Sequence, residues 1–291
     1  MVAMVAMVAC GRVGFDERSA SVPPDTATTD TTCDPWSAPR RQVALATAAQ
    51  DWDPALSPDG RMLVFGSDRL GPGRKLFLAT RPSLTADFDA PRQLDELDGG
   101  TTSIEYGATW SADGKRLFFA RSDTTFEHLA ASFDSGNNAF DTPAVADLPE
   151  GDSWAFTIDD REAFFTLNPM PDDYDLGHAA RDGSGEWVRS PLLDGFNRTG
   201  PSGAAEGWPS FDDIHQTLYI EADLDGVSVI ATTKRTMRGA GFEPALTPVL
   251  ELGDGASDPD ISRDTTTIVF GSTRPGGAGA NDLYVSVRSC R

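Results

Sequence analysis

The chain has few groups suited to nucleophilic or metal-dependent chemistry. Its 291 residues include three cysteines and three histidines. It has no Gly-x-Ser-x-Gly pentapeptide, the turn that presents the nucleophile of α/β hydrolases, which argues against a serine hydrolase of that kind. His128, His178 and His215 fall in three different copies of a repeat described below. That separation favours packing or surface roles for them over ligation of zinc or haem.

Basic residues and long apolar runs are also scarce. The chain has 24 Lys and Arg against 45 Asp and Glu, a formal net charge of −21. Such a chain lacks the basic surface that binding to nucleic acid requires. It also gains nothing from anionic headgroups, so any membrane attachment must come from a lipid. Beyond residues 1–9, no apolar run approaches the roughly 20 residues that span a bilayer.

One segment is repeated five times along the chain. The copies lie at 54–65, 108–119, 154–165, 209–220 and 259–270, and the third and fourth are the most divergent. Self-similarity at a period of this size predicts radial or linear repetition of one supersecondary unit.

Each copy is typical of a four-stranded antiparallel unit. Asp59-Gly60 and Asp113-Gly114 are hairpin turns between two apolar runs. The second run has no polar alternation, which indicates a sheet covered on both faces. A third strand follows, and then a fourth that carries an aromatic residue and a proline, which suits an edge. The sequence therefore predicts an all-β, five-bladed β-propeller with four-stranded blades.

The ends of the chain are expected to close the ring. The fifth copy ends after its third strand, and the segment from Trp36 to Leu45 matches a fourth strand. We expect that segment to complete the last blade, which would leave no open sheet edge. Cys33 and Cys290 fall where the first blade has loop residues, so a Cys33–Cys290 disulfide is predicted, the alternative being two unpaired thiols.

The N-terminal region is predicted to be an export signal and a tether. Residues 1–10 end in Met7-Val8-Ala9-Cys10, followed by Gly11, which resembles a lipoprotein cleavage box with Cys10 as the lipidated residue, although no basic residue precedes it. Residues 11–35 are rich in Ser, Thr, Pro and Asp and predict a disordered tether, so residues 36–291 form the propeller. This organisation predicts a monomer in the bacterial cell envelope, extracytoplasmic, in the periplasm or on the outer membrane.

The repeats resemble a known family. Ser57-Pro58-Asp59-Gly60 followed by Leu63-Val64-Phe65 is similar to the TolB-type, WD40-like propeller repeat of bacterial envelope lipoproteins, and 270–286 carries another form of it. The resemblance covers about residues 36–290 and implies a binding or scaffolding module of the periplasm. TolB itself has six blades and a further N-terminal domain, so a six-bladed propeller is the alternative fold, although the spacing leaves no room for a sixth copy.

Carboxylates are predicted to ring one mouth of the central channel. Every copy carries one close to the start of its first strand: Asp51, Asp53, Glu105, Asp152, Glu206 and Asp258. Like charges about 8 Å apart repel by roughly 2 kcal/mol per pair at an effective dielectric constant of about 20. We expect a cation or a cationic ligand to relieve this repulsion, with calcium as the candidate ion and no cofactor required for chemistry.

The predicted acidic mouth of the channel suggests two alternative functions. The favoured one is a non-catalytic, lipid-anchored module whose acidic mouth meets a basic or metal-bridged protein partner of the envelope. The alternative is a glycoside hydrolase of the furanosidase type, with Asp53 as base, Glu206 as acid and Asp152 tuning them. In that alternative, four aromatic residues would stack on a sugar: Trp52, Tyr106, Trp154 and Trp208.

Overall fold

The described part of the chain is an all-β propeller. The computed structural model describes residues 32–71, 73–151, 154–156, 161–170, 173–197, 206–224 and 226–291. Within these ranges there are 21 strands and three short 3-10 helices, and no helix there is long and apolar enough to cross a membrane. The strands form five antiparallel sheets, which confirms the predicted five-bladed β-propeller. The signal segment with Cys10, and the tether up to residue 31, lie outside the described residues and stay predictions.

The strands follow the chain blade by blade. Strand β1 (Arg40–Arg41) precedes blade 1, which contains β2 (Asp51–Leu56), β3 (Met62–Ser67), β4 (Lys75–Thr80) and β5 (Arg92–Gln93). Blade 2 contains β6 (Ile104–Trp110), β7 (Arg116–Ser122), β8 (Phe126–Asp134), β9 (Ala139–Phe140) and β10 (Ala144–Val145). Blade 3 contains β11 (Trp154–Phe156), β12 (Glu162–Met170), β13 (Asp173–Arg181) and β14 (Trp187–Ser190).

The remaining strands complete the ring. Blade 4 contains β15 (Glu206–Asp212), β16 (Thr217–Leu224), β17 (Val227–Lys234) and β18 (Thr247–Pro248), and blade 5 contains β19 (Ala256–Ile261), β20 (Thr267–Ser272) and β21 (Asp282–Val287). The 3-10 helices are Asp95–Leu97, Pro191–Leu193 and Leu250–Leu252. Blades 1, 3 and 4 pair their strands in sequence order. In blade 2, β8 pairs with both β9 and β10, and in blade 5, β21 also pairs with β1.

The repeated Ser-x-Asp motif builds the turn between the first two strands of a blade. Ser57 Oγ donates to Asp59 Oδ1 at 2.6 Å and accepts from the Met62 N–H at 2.9 Å. Gly60 adopts φ +67°, which a glycine reaches without steric strain. The same serine contacts recur at Ser111 and Ser262. The turn therefore recurs because one serine side chain satisfies groups on both sides of it.

The hydrophobic core lies between neighbouring blades. Val64 and Leu78 of blade 1 belong to one buried cluster with Trp110 and Phe119 of blade 2. Equivalent clusters join blades 3 and 4, 4 and 5, and 5 and 1. A smaller cluster lies within blade 3. Because most of the buried apolar surface lies between blades, the stability of each blade depends on its neighbours.

The N-terminal segment closes the ring as predicted. Strand β1 pairs antiparallel with β21, with Arg40 opposite Val285 and Arg41 opposite Tyr284. The strand is only two residues long, but the pairing extends beyond it, because the Ser37 N–H donates to Val287 O at 2.8 Å. Trp36 is buried against Tyr219 of blade 4. The N-terminal segment therefore supplies the fourth strand of blade 5.

A disulfide locks this closure. Cys33 and Cys290 are bonded across 257 positions of sequence, as predicted. The backbones of Thr32 and Arg291 exchange two hydrogen bonds, of 3.1 and 3.0 Å, beside it. Structural disulfides persist in oxidising compartments, so the bond indicates an extracytoplasmic location.

Removing the disulfide should destabilise the whole propeller. We expect the Cys33→Ser/Cys290→Ser double variant to lose about 2–5 kcal/mol of unfolding free energy, because the bond closes nearly the entire chain. Urea denaturation in chelator-containing buffer measures the loss. Reduced wild type should match the double variant, and the double variant should not respond to reductant. A double variant as stable as the oxidised wild type would show that the pairing of β1 with β21 suffices alone.

Candidate functional site

The first strands of blades 1, 2, 4 and 5 are each broken by a bulge that faces the channel. Register shifts skip 53–54 in β2, 107–108 in β6, 208–209 in β15 and 258–259 in β19. Asp53, Trp208 and Asp258 there have φ between +47° and +48°, which is unfavourable for residues other than glycine. These residues line a narrow cavity of about 20 Å³ on the channel. Strain of this kind, held by a rigid sheet, is common at functional sites.

A larger cavity opens beside this constriction, at one mouth of the channel. It has a volume of about 320 Å³ and is lined by parts of blades 1, 4 and 5. Its charged lining residues are Asp53, Arg74, Glu221 and Asp258. Trp52 and Trp208 supply aromatic walls. We call this space the mouth cavity.

Asp53 is the most constrained of its carboxylates. Its Oδ2 accepts from Arg74 Nη1 at 2.5 Å and from the Gly107 N–H at 3.2 Å. Arg74 in turn stacks on Trp52, with its guanidinium carbon 4.1 Å from the ring centroid. The side chain of Asp53 is 4% exposed, and its Oδ1 is buried without a hydrogen-bond partner.

Glu221 and Asp258 bring two more carboxylates to the same cavity. Glu221 Oε2 accepts from the Asp258 N–H at 3.3 Å, and its Oε1 accepts from Ser228 Oγ at 2.9 Å. Burial, reinforced by the charge of Asp53, raises the pKa of Glu221 to about 7. Burial and the charges of Asp53 and Glu221 hold the pKa of Asp258 well above its usual range. The three carboxylates therefore repel one another, and Arg74 is the one basic side chain lining the mouth cavity among the described residues.

Asn281 adds a fourth oxygen. Its Nδ2 donates to the Asp51 carbonyl at 3.0 Å, so its Oδ1 is the free end of the amide. That Oδ1 is buried without a partner, like Asp53 Oδ1. A buried acceptor left unpaired costs about 1–3 kcal/mol. Carboxylate and amide oxygens are the types of donor atom that hard cations prefer.

Two of the other predicted acids are held in ion pairs inside the blades. Asp51 Oδ1 lies 2.7 Å from Arg69 Nη2. Glu105 lies 3.1 Å from both Lys75 Nζ and Arg121 Nε. Neither lines a described cavity, so these pairs position the start of β2 and β6 rather than face a ligand.

The structure thus brings together two of the six predicted carboxylates, Asp53 and Asp258. Glu206 is buried at the start of β15, where β2 has Asp51 and β6 has Glu105, and it is not among the residues that line the mouth cavity. Asp152 lies outside the described residues.

Sequence reasoning missed Glu221, Arg74 and Asn281. A usable signal existed for Glu221, because it aligns with Gly66 of β3 and Gly271 of β20. A carboxylate at a repeat position where two other blades have glycine indicates that this position has a different role in its own blade. Arg74 and Asn281 lie in the variable loops before β4 and β21, which alignment of the repeats does not cover.

The fold is similar to several solved propellers. No family model matches the chain, and no curated protein matches it. The catalytic domain of a GH62 α-L-arabinofuranosidase from Coprinopsis cinerea matches with a TM-score of 0.60 at 9% identity, covering 88% of this chain and 98% of that one. An α-L-arabinofuranosidase from Podospora anserina, solved with cellotriose, gives 0.54 at 11% identity, with 90% and 98% covered.

TolB from Acinetobacter baumannii is also matched, with a TM-score of 0.46 at 15% identity over 84% of this chain, which spans 56% of the length of that protein. At these identities the likenesses show a propeller fold and nothing about chemistry. In fold, this chain is a β-propeller. It has five sheets in its described residues, rather than the six of the alternative.

Replacing Glu221 should change how stability depends on pH. Because the pKa of Glu221 in the folded protein is about 7, above its usual 4.5, folding favours the protonated form. The stability that this group contributes is complete below pH about 4.5 and is lost as the pH rises through about 7. We expect Glu221→Gln to exceed wild type by about 1–3 kcal/mol at pH 8 and to differ little at pH 4, measured by urea denaturation.

The matched control for this measurement is Glu251→Gln, on an exposed residue of the last 3-10 helix. Its stability difference from wild type should be the same at both pH values. If the stability of Glu221→Gln depended on pH as that of wild type does, Glu221 would not be the carboxyl whose pKa is raised by folding.

Proposed function

We propose that this protein is a non-catalytic binding module of the bacterial envelope, anchored through a lipid on Cys10, whose mouth cavity holds a cation or the cationic group of a partner. The observation that carries the proposal is the composition of that cavity. Three carboxylates, Asp53, Glu221 and Asp258, line it, and Arg74 is the one counter-charge there in the described part of the chain.

In the mouth cavity, the carboxylates outnumber the basic groups, and two acceptor oxygens have no hydrogen-bond donor. The raised pKa values of Glu221 and Asp258 reflect burial and mutual repulsion, which a bound cation would relieve. Asp53 Oδ1 and Asn281 Oδ1 are both buried without partners, so the cavity has unused acceptors for a cationic group. Calcium suits this donor set because it accepts carboxylate and amide oxygens in a flexible geometry.

A protein partner would meet the same face. The net charge of −21 favours a partner that has a basic surface. Alternatively, an acidic group of the partner would bind a cation that the mouth cavity also binds, which gives a metal-bridged complex. Because the loops at the mouth are held by rigid blades, they suit recognition. We expect such an association to weaken as salt is added, since it relies on charge.

Calcium titration of the chelator-treated protein tests this proposal. We expect saturable binding of one ion by isothermal calorimetry, and at least about tenfold weaker binding in Asp53→Asn and in Glu221→Gln, because each removes a charged ligand. Binding at pH 6 should release more protons than binding at pH 8, since Glu221 must ionise to accept the ion.

Asp59→Asn is the control for the calcium titration. It removes a carboxylate from the turn between β2 and β3, outside the mouth cavity, and should leave affinity unchanged. Absence of calcium binding would reject the ion. A basic partner protein that bound wild type and an Asp53→Asn/Asp258→Asn variant equally would reject the cavity as its site.

A second candidate function is glycoside hydrolysis. The observation that favours it is that Trp52 and Trp208 line the same cavity as Asp53 and Glu221. Glycosidic cleavage needs a carboxylic acid whose pKa is raised beside a carboxylate in a more polar setting. Glu221, with a pKa of about 7, matches the acid, and Asp53, paired with Arg74, matches the carboxylate.

A panel of aryl furanosides and pyranosides separates the two functions. If the protein is a hydrolase of this site, Glu221→Gln should lower turnover by at least about 100-fold, because it removes the acid. Glu206→Gln should have a smaller effect, since Glu206 does not line the mouth cavity. A larger loss in Glu206→Gln would restore the sequence-based assignment of the acid, and no turnover on any substrate would reject the hydrolase.

A further inference from the structure

A second cluster of metal-ligating side chains lies at the seal of the ring. The sulfur atoms of Cys33 and Cys290 and a ring nitrogen of His215 all lie within 4.8 Å of one another. His215 Nε2 is 3.5 Å from Cys33 Sγ. His215 belongs to the turn between β15 and β16, for which the sequence favoured a packing or surface role.

The imidazole of His215 is oriented towards the sulfur atoms. Its Nδ1 lies 2.7 Å from Asp212 Oδ2, and the Asp212 carboxylate is an acceptor, so Nδ1 carries the proton. Nε2, the ring nitrogen that faces Cys33, is therefore the one available to a metal ion. A carboxylate behind the imidazole is the arrangement by which proteins orient histidines that bind metal.

Asp212 is itself held firmly. Its Oδ1 accepts from the His215 N–H at 2.9 Å, and its Oδ2 lies 3.3 Å from Arg288 Nη2. Its side chain is 0% exposed. The orientation of His215 therefore does not depend on the disulfide.

We propose that Cys33, Cys290 and His215 form a binding site for one thiophilic cation, such as Zn²⁺, when the disulfide is reduced. An external dithiol would supply two electrons and two protons and would itself become a disulfide. The cation would then displace the two thiol protons and bind both thiolates and His215 Nε2. All three residues are partly exposed, so water can reach a fourth ligand position.

The backbone keeps the two thiols together after reduction. Thr32 and Arg291 exchange two hydrogen bonds, and the Asp34 N–H donates to Ser289 O at 2.8 Å. These contacts flank both cysteines and do not involve sulfur. The bound cation would therefore take the place of the disulfide as the link between the two ends of the chain. This proposal is independent of the mouth cavity, because none of the three ligands lines it.

Cobalt(II) is a direct probe of the proposed site. The whole protein is reduced with a phosphine under nitrogen and titrated with Co²⁺. We expect thiolate-to-cobalt charge-transfer absorption and intense tetrahedral d–d bands that saturate at one ion per chain. Excess Zn²⁺ should abolish them. The oxidised protein and Cys290→Ser should show neither band.

Histidine variants test whether His215 binds the metal ion or only lies near the two cysteines. In the reduced protein, His215→Ala should weaken Zn²⁺ binding at least about tenfold in competition with a chromophoric chelator, and Asp212→Asn should weaken it by a smaller factor. His128→Ala is the matched control, because His128 lies in β8 of blade 2, and it should bind as wild type does.

Folding of the reduced protein is followed in parallel by circular dichroism. Zn²⁺ should raise the melting temperature of reduced wild type and leave that of the oxidised protein and of reduced His215→Ala nearly unchanged. The proposal is overturned if reduced wild type shows no thiolate–cobalt absorption, whether folded or unfolded. It is also overturned if His215→Ala binds Zn²⁺ as tightly as wild type.

Discussion

The closure between strand β1 and strand β21 is the constraint on which the rest of the molecule depends. Four of the five buried clusters lie between neighbouring blades, so those blades bury apolar surface that only an adjacent blade covers. An open ring would expose one apolar face at each end and leave a sheet edge unpaired. The Cys33–Cys290 bond and the burial of Trp36 against Tyr219 hold the two ends together. The channel and its mouth exist only while that seal is intact.

Rigidity of the ring also makes the mouth cavity possible. Asp53 and Asp258 adopt left-handed backbone conformations that an isolated strand would avoid. The sheets on either side impose them and turn both carboxylates towards Glu221. The same sheets bury the three groups and prevent them from moving apart, so burial, and then repulsion, raises the pKa values of Glu221 and Asp258. A cation would relieve a strain that the scaffold enforces.

Acidic side chains in this propeller have two different roles that the sequence does not distinguish. Asp51 and Glu105 are enclosed by Arg69, Lys75 and Arg121, where they tie strands together. Asp53 and Asp258, two positions further along their strands, face the channel instead. The bulge separates the two sets, because it places two residues of the inner strand opposite one of its partner, and the one extra residue reverses the side that the chain presents.

The sequence alone determined the number of blades, the turn chemistry, the closure by the segment after Trp36 and the cysteine pairing. Each of these depends on a pattern that recurs along the chain or on the position where that pattern stops. Tertiary structure decided which carboxylates meet and what lies beside them. Glu221 joins Asp53 and Asp258, and His215 joins the disulfide, although each pair is far apart in sequence. Such contacts arise where neighbouring blades pack, and the repeat pattern describes one blade at a time.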